Sequence, residues 1–199
     1  MTELVVATGN QGKLKEIHQV LTPLGYIVRG QGEFNVGSVE ETGLTFVENA
    51  IIKARHTSRQ AGRAALADDS GLEVDALNGE PGIYSARYAG ASATDADNNT
   101  RLLAALKDFP DAKRSARFQC VMVYLRHPED PTPIICQGTW EGRIGFAPQG
   151  DNGFGYDPLF FVPGEQCMAA QLAPDVKNRL SHRGQALAKL VAALSQPHS

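Results

Sequence analysis

The chain has 199 residues, 42% of them hydrophobic and 21% charged, with a formal net charge of −3. That length suits a single domain spanning residues 1–199, built as two lobes sharing one sheet, with a core large enough to fold without staples. The slight acidity excludes the broad basic field on which nucleic-acid backbone binding relies, and no apolar run is long enough to span a bilayer. With no charged segment followed by an apolar one at the N-terminus, the expectation is a cytoplasmic protein without nucleic-acid or membrane partners.

Leu4 to Ala7 is a short strand-like run, broken by Thr8-Gly9-Asn10-Gln11-Gly12-Lys13. Leu14, Ile17, Val20 and Leu21 then recur at helical spacing, and Pro23 with Gly25 closes that helix. Tyr26 to Val28 is a second strand, followed by a stretch rich in glycine and acids. Thr45-Phe46-Val47-Glu48 has the capping-box pattern that starts a helix, and its apolar stripe is Phe46, Val47, Ala50, Ile51 and Ala54. Gly62 ends it. A short strand, Ala64 to Ala67, runs into Asp68-Asp69-Ser70-Gly71, and Leu72 to Leu77 is a separate strand. Gly79 to Tyr88 is a loop, and Thr94 caps a helix through Lys107. Ala116 to Arg126 and Pro133 to Ile144 are long strand-like runs joined as a hairpin. Cys120 and Cys136 lie inside them as buried thiols, and without CxxC spacing the cysteines give no zinc site. A loop over 152–158 precedes the apolar run Leu159 to Val162, and Ser181 caps the last helix. The pattern mixes crossover units with an antiparallel section, so the fold class is α/β.

Five groups of residues could carry chemistry. Thr8 to Lys13 joins a strand to a helix through glycines, which suits either a phosphate cradle or a plain turn; it is too short for GxxxxGK[ST]. Glu40, Glu41, Asp68 and Asp69 are acids in loops or at a strand end, where carboxylates can bind Mg²⁺ or simply be solvated. Asn49 and Lys53 share a helix face, and Lys53 either is a solvated lysine, the commoner case, or reaches phosphate. Phe154-Gly155-Tyr156-Asp157 holds aromatics between glycines, for stacking on a base or for plugging the core. Lys177, His182 and Arg183 flank Ser181; two basic residues in a first helical turn oppose the helix dipole, which favours an anionic or carbonyl-bearing ligand.

Taken in order, TGNQGK, SVEETGLTFVENAIIKA, ALADDSGLEVDALNGEPGIYSARYAG, GFGYDPLFF and KNRLSHRGQAL resemble the inosine/xanthosine triphosphate pyrophosphatase family over nearly the whole chain. The resemblance implies an elongated mixed β-sheet flanked by helices, in two lobes with a central cleft, and a homodimer. It implies that Thr8, Gly9, Asn10, Gln11, Gly12 and Lys13 bind triphosphate, with Lys53 and Ser70 contacting phosphate or sugar. It makes Asp69 the catalytic base and a Mg²⁺ ligand, with Glu40 the likelier second acid and Glu41 and Asp68 as further candidates. Phe154, Gly155, Tyr156, Asp157, Lys177, His182 and Arg183 would form the nucleoside pocket. The expected reaction is hydrolysis of ITP, dITP or XTP to monophosphate and pyrophosphate. The alternatives are a related-fold pyrophosphatase for pyrimidine or modified nucleotides, and a nucleotide-binding module without turnover.

Overall fold

A computed structural model describes residues 2–195. Strand β1 (Thr2–Val6) leads into helix α1 (Gln11–Leu21), which returns the chain to β2 (Tyr26–Gly30). Helix α2 (Phe46–Ala61) then carries it to β3 (Ala64–Val74). Both β2 and β3 run parallel to β1 and lie on opposite sides of it, with Thr2 beside Tyr26 and Leu4 beside Ala64. The chain thus leaves β1 on one side and comes back on the other. The order β2-β1-β3 makes a topological switch point beyond the carboxyl end of β1, which lies beside Leu66 within β3, and open α/β sheets collect ligands at such points.

The remaining elements are α3 (Asp95–Ala105), β4 (Ser115–Leu125), β5 (Ile134–Ile144), β6 (Phe160–Val162), β7 (Cys167–Met168), α4 (Pro174–Leu180) and α5 (His182–Leu194). The seven strands form one mixed sheet in the order β2-β1-β3-β4-β5-β6-β7, with β6 antiparallel to both β5 and β7.

The chain divides into two compact units. The first holds the chain up to Asp69, Cys120–Gln137 and the segment from Ala186 onward. Here one sheet face packs Leu4, Val6, Leu66 and Met122 against Ile17 and Leu21 of α1 and Leu187 and Leu190 of α5. The other face packs Ala67, Val121, Val123 and Leu125 against Ala50 and Ala54 of α2. Burial on both faces is why these strands read as unbroken apolar runs. Each fully buried Leu or Ile contributes roughly 1.5–3 kcal/mol. The second unit, Ser70–Gln119 with Gly138–Gln185, has its own core of Leu72, Val74, Leu102, Leu106, Phe118, Trp140 and Phe160.

Three expectations change. Asp68-Asp69-Ser70-Gly71 does not end a strand: β3 continues through it for 11 residues, and Asp75–Leu77 is a 3₁₀ turn instead of strand. The helix capped by Thr94 stops at Ala105, because Leu106 leaves it to enter the core. Helix α4 was not anticipated; its seven residues are too few to show a helical period.

Between β4 and β5 the turn is organised by Asp130. Its carboxylate accepts the backbone N–H groups of Arg126 and Thr132, both at 3.0 Å, and pairs with the Arg126 guanidinium. The Arg126 side chain, and then the two backbone donors, hold the Asp130 carboxyl well below the usual carboxylate range despite its burial. Asp130→Ala should lower stability at neutral pH, by about 0.5–1.5 kcal/mol in urea unfolding, since two part-buried backbone donors lose their acceptor. A depressed folded-state pKa stabilises above the unfolded-state value, and that contribution is lost as pH falls through the folded one. The gap between wild type and variant should therefore narrow towards acid.

Candidate active site

The turn after β1 is built by two side-chain acceptors. Thr8 Oγ1 accepts the Asn10 N–H at 3.1 Å, and Asn10 Oδ1 accepts the N–H groups of Gly12 and Lys13 at 2.9 and 3.1 Å. Asn10 is therefore the N-cap of α1, and Gln11 to Lys13 form the helix's first turn instead of a loop. The amides of Gly12 and Lys13 serve that cap. What the segment offers an anion is the positive end of α1, the Thr8–Gly9 backbone and the Lys13 ammonium.

These groups open onto a cavity of about 210 Å³ in the first unit. Thr8, Gly9, Lys13, Glu41, Lys53 and Asp68 line it, together with Gln31, Gly37, Ser38, Val39, His56 and Thr57. Glu41 faces this space; Glu40 is exposed and is not part of the lining. Sequence reasoning missed Gln31, Ser38, His56 and Thr57. His56 and Thr57 lie one turn beyond Lys53, so the helical period that placed Lys53 could have found them. Gln31 and Ser38 come from a stretch with no period at all.

Asp68 and Asp69 are successive residues of a strand and so point to opposite faces. Each is held by a lysine from a different helix. Lys13 Nζ lies 2.8 Å from Asp68 Oδ2, and Lys53 Nζ lies 2.8 Å from Asp69 Oδ1 and 3.2 Å from Glu41 Oε1. The Asp69 carboxylate is not itself in the cavity lining but joins it through Lys53. Burial pushes the Asp69 carboxyl up; Lys53 opposes this, while the charges of Glu41 and Asp68 reinforce it. A carboxylate raised in this way is the stronger base. Its Oδ2 is buried without a hydrogen-bond partner. A buried acceptor with no donor costs stability, roughly 1–3 kcal/mol, and marks a place for a water or a cation.

The donor set also fits a hard divalent cation. Among the described residues no three acidic, His or Cys side chains converge as a complete cage. Mg²⁺ needs none, since one or two carboxylates suffice when phosphates and waters fill the other positions.

The second unit brings together the aromatic and basic residues. Lys177 Nζ donates to Asp157 Oδ2, and the same carboxylate oxygen accepts the Phe154 N–H at 2.9 Å. A Cβ on Gly153 would collide with Asp157 and with Lys177, so only glycine fits there. The Phe154 ring is 51% exposed, with the Lys177 ammonium 5.0 Å and the Arg183 guanidinium 5.5 Å from its centroid. Phe154 is thus available for stacking. Tyr156 is buried and donates its hydroxyl to Ser85 O at 2.8 Å, so it plugs the core. Ser181 Oγ accepts the Gly184 N–H at 3.1 Å and starts α5. A Cβ on Gly184 would run into the Asn178 carbonyl, so its absence lets α4 and α5 meet at a sharp corner. That corner buries His182, whose ring stacks on Phe118 at 4.8 Å, and Arg183. Two residues that sequence reasoning missed fix this loop. Asp95 Oδ2 accepts the Gly155 N–H at 2.7 Å and Asn99 Nδ2 donates to Gly155 O at 2.9 Å. Both sit at i,i+4 in the first turns of α3, a spacing visible after Thr94.

In the first unit two lysines at the switch point offer places for an anion such as phosphate. In the second unit a ring among cations is exposed for stacking. The chain belongs to the Ham1 family, whose model matches residues 4–193. It is 59% identical over 196 residues to a dITP/XTP pyrophosphatase of Vibrio cholerae serotype O1, covering 98% of each chain. It is 60% identical to a dITP/XTP pyrophosphatase of Shewanella oneidensis, covering 98% of this chain and 95% of the relative. A solved HAM1 protein from Coxiella burnetii superposes with a TM-score of 0.95 at 52% identity, over 98% of this chain and 99% of that one. The Staphylococcus aureus Ham1 protein superposes at 0.89 and 43% identity, over 96% and 97%. Among the described residues no helix is long and apolar enough to cross a membrane.

The electrostatics of Asp69 can be checked without turnover. Carboxyl NMR titration of the metal-free protein should place Asp69 above an ordinary aspartate. Lys53→Met should raise it further, because an opposing positive charge is lost. Glu41→Gln should lower it, because a like charge is lost.

Proposed function

We propose that this chain hydrolyses non-standard purine nucleoside triphosphates, ITP, dITP and XTP, to the nucleoside monophosphate and pyrophosphate. The observation that carries this is a buried carboxylate of raised basicity, Asp69, held by Lys53, beside a cavity that Lys53 and the Asp68-paired Lys13 both line. The names of the close relatives support the choice of substrate. A binding module would need no water-activating base.

Asp69 takes a proton from a water whose oxygen attacks the α-phosphorus. The bond from that phosphorus to the β-phosphate oxygen breaks, and pyrophosphate leaves. Lys13 and Lys53 stabilise the charge that builds on the leaving group, an electrostatic task suited to ammonium groups already aimed at the cavity. To do so Lys13 must release Asp68 and Lys53 must loosen its hold on Asp69 and Glu41, so phosphate exchanges for carboxylate around each lysine. When bound, Mg²⁺ supplies positive charge to the phosphates and acidifies water, with Asp69 and Glu41 to hold it. Glu41 takes this place over Glu40 because Glu41 lines the cavity and pairs with Lys53. Thr8 to Lys13 cradles the triphosphate, and Ser70, the residue after Asp69, meets phosphate or sugar.

On the nucleoside side, Phe154 stacks on the base, a contact worth roughly 1–3 kcal/mol. Gly155, Tyr156 and Asp157 set the loop, and Lys177 stays near the ring through Asp157. His182 and Arg183 supply donors for the 6-carbonyl of inosine and xanthosine. The 6-amino group of adenosine would meet them donor to donor, a mismatch that can cost on the order of 10⁴ in specificity. The acidic side chains support Mg²⁺ dependence, the family resemblance supports a homodimer, and a cytoplasmic setting suits the sequence pattern.

A panel of ITP, dITP, XTP, GTP, ATP and dUTP with Mg²⁺ tests the proposal. Pyrophosphate should come from the first three alone; GTP shares the 6-carbonyl, so its exclusion must act on its 2-amino group instead. Orthophosphate, or preferential turnover of dUTP, overturns it. Asp69→Asn should lower kcat by on the order of 10²–10⁴ while the fold persists, and full activity in that variant removes Asp69 as the base.

A further inference from the structure

Asn49, which shares a helix face with Lys53, is fully buried in the first turn of α2 and has no part in the roles proposed above. Its Oδ1 accepts the Gly43 N–H at 2.8 Å, and the identity of that donor fixes which end of the amide is oxygen. Its Nδ2 is buried without a hydrogen-bond partner.

Three further contacts pin the same segment. Glu48 Oε2 accepts the Leu44 N–H at 2.9 Å and the Thr45 hydroxyl at 2.8 Å, and Thr45 Oγ1 accepts the Glu48 N–H. Gly43 lies so close to the helix that a Cβ there would sit 2.5 Å from Glu48 Cβ and 2.7 Å from Asn49 Oδ1. Residues 43 and 44 are thus clamped flat on the start of α2. Two residues upstream, Glu41 meets Lys53, which rises from the same helix four residues after Asn49. One helix therefore supplies the lysine and also the anchor for the acid that faces it.

We propose that Asn49 is a positioning residue, which through Gly43 sets Glu41 against Lys53 at the phosphate cavity. Asn49 touches no reacting atom in this scheme. It removes the freedom of a glycine-bearing, otherwise aperiodic segment, so that Glu41 arrives with its carboxylate already in place. The proposal rests on the function assigned to Glu41 above.

The test uses Asn49→Leu, nearly isosteric without the acceptor, and Gly43→Ala, which pushes the segment off α2 while Asn49 stays intact. Rates are read with dITP and Mg²⁺ well below each variant's melting temperature. Each change should lower kcat on the order of 10- to 100-fold while KM stays within about threefold, since the Thr8–Lys13 cradle is untouched. In a Glu41→Gln background the same changes should cost less than about twofold, because the group they position is gone. Penalties that multiply in full with Glu41→Gln, or unchanged kcat in both single variants, overturn the proposal. A readout independent of turnover is the nitrogen NMR resonance of the Lys53 ammonium. It should move in Glu41→Gln and move the same way in Asn49→Leu and Gly43→Ala. A Lys53 signal indifferent to the last two overturns the proposal. If wild type releases no pyrophosphate the assigned function fails, and the Lys53 resonance still decides the role of Asn49.

Discussion

Two adjacent aspartates on a buried strand impose the constraint around which the first unit is organised. A carboxylate removed from water must find a cation or give up its charge. Because successive strand residues face opposite ways, one cation cannot serve both Asp68 and Asp69 directly, and the fold sends a lysine from each of two helices. That requirement sets the start of α1, where Asn10 caps the helix so that Lys13 reaches Asp68, and the placement of α2, which brings Lys53 to Asp69 and Glu41. The parallel arrangement of β1 and β3 puts all of this at the switch point of the sheet.

The resting arrangement is self-neutralising. Lysines that would meet phosphate are occupied by carboxylates that would meet a metal or a water. Substrate and cation entering together can exchange partners without leaving any buried charge alone, whereas either by itself would strand a charge. Burial and the neighbouring acids raise the basicity of Asp69, and Lys53 restrains it, so the same contacts that satisfy the charges also tune the base.

The second unit uses different physics. Its aromatic and basic loop depends on missing side chains: Gly153 makes room for Asp157 and Lys177, and Gly184 for the Asn178 carbonyl. Close packing at these points leaves one aromatic ring, Phe154, exposed among cations while its neighbour Tyr156 goes into the core. Asp95 and Asn99 grip both backbone groups of Gly155, so the loop is set by α3 as well as by its own sequence.

The sequence by itself determined the crossover units and the helix starts at Thr45, Thr94 and Ser181, and it singled out the segments that hold the candidate site residues. Those features rest on local chemistry: hydrophobic period, capping hydroxyls and glycine punctuation all act within a few residues. It could not decide that Asp68-Asp69-Ser70-Gly71 continues a strand, because the turn-like composition is overruled by lysines 55 and 16 residues away in the chain. Nor could it separate Glu41 from Glu40, or Phe154 from Tyr156. Neighbours of one chemical type differ only in which way the backbone turns them, and that direction is set by contacts outside the local pattern: the hydroxyl of Tyr156 reaches the Ser85 carbonyl 71 residues away, and the segment carrying Glu41 is held at Gly43 by Asn49.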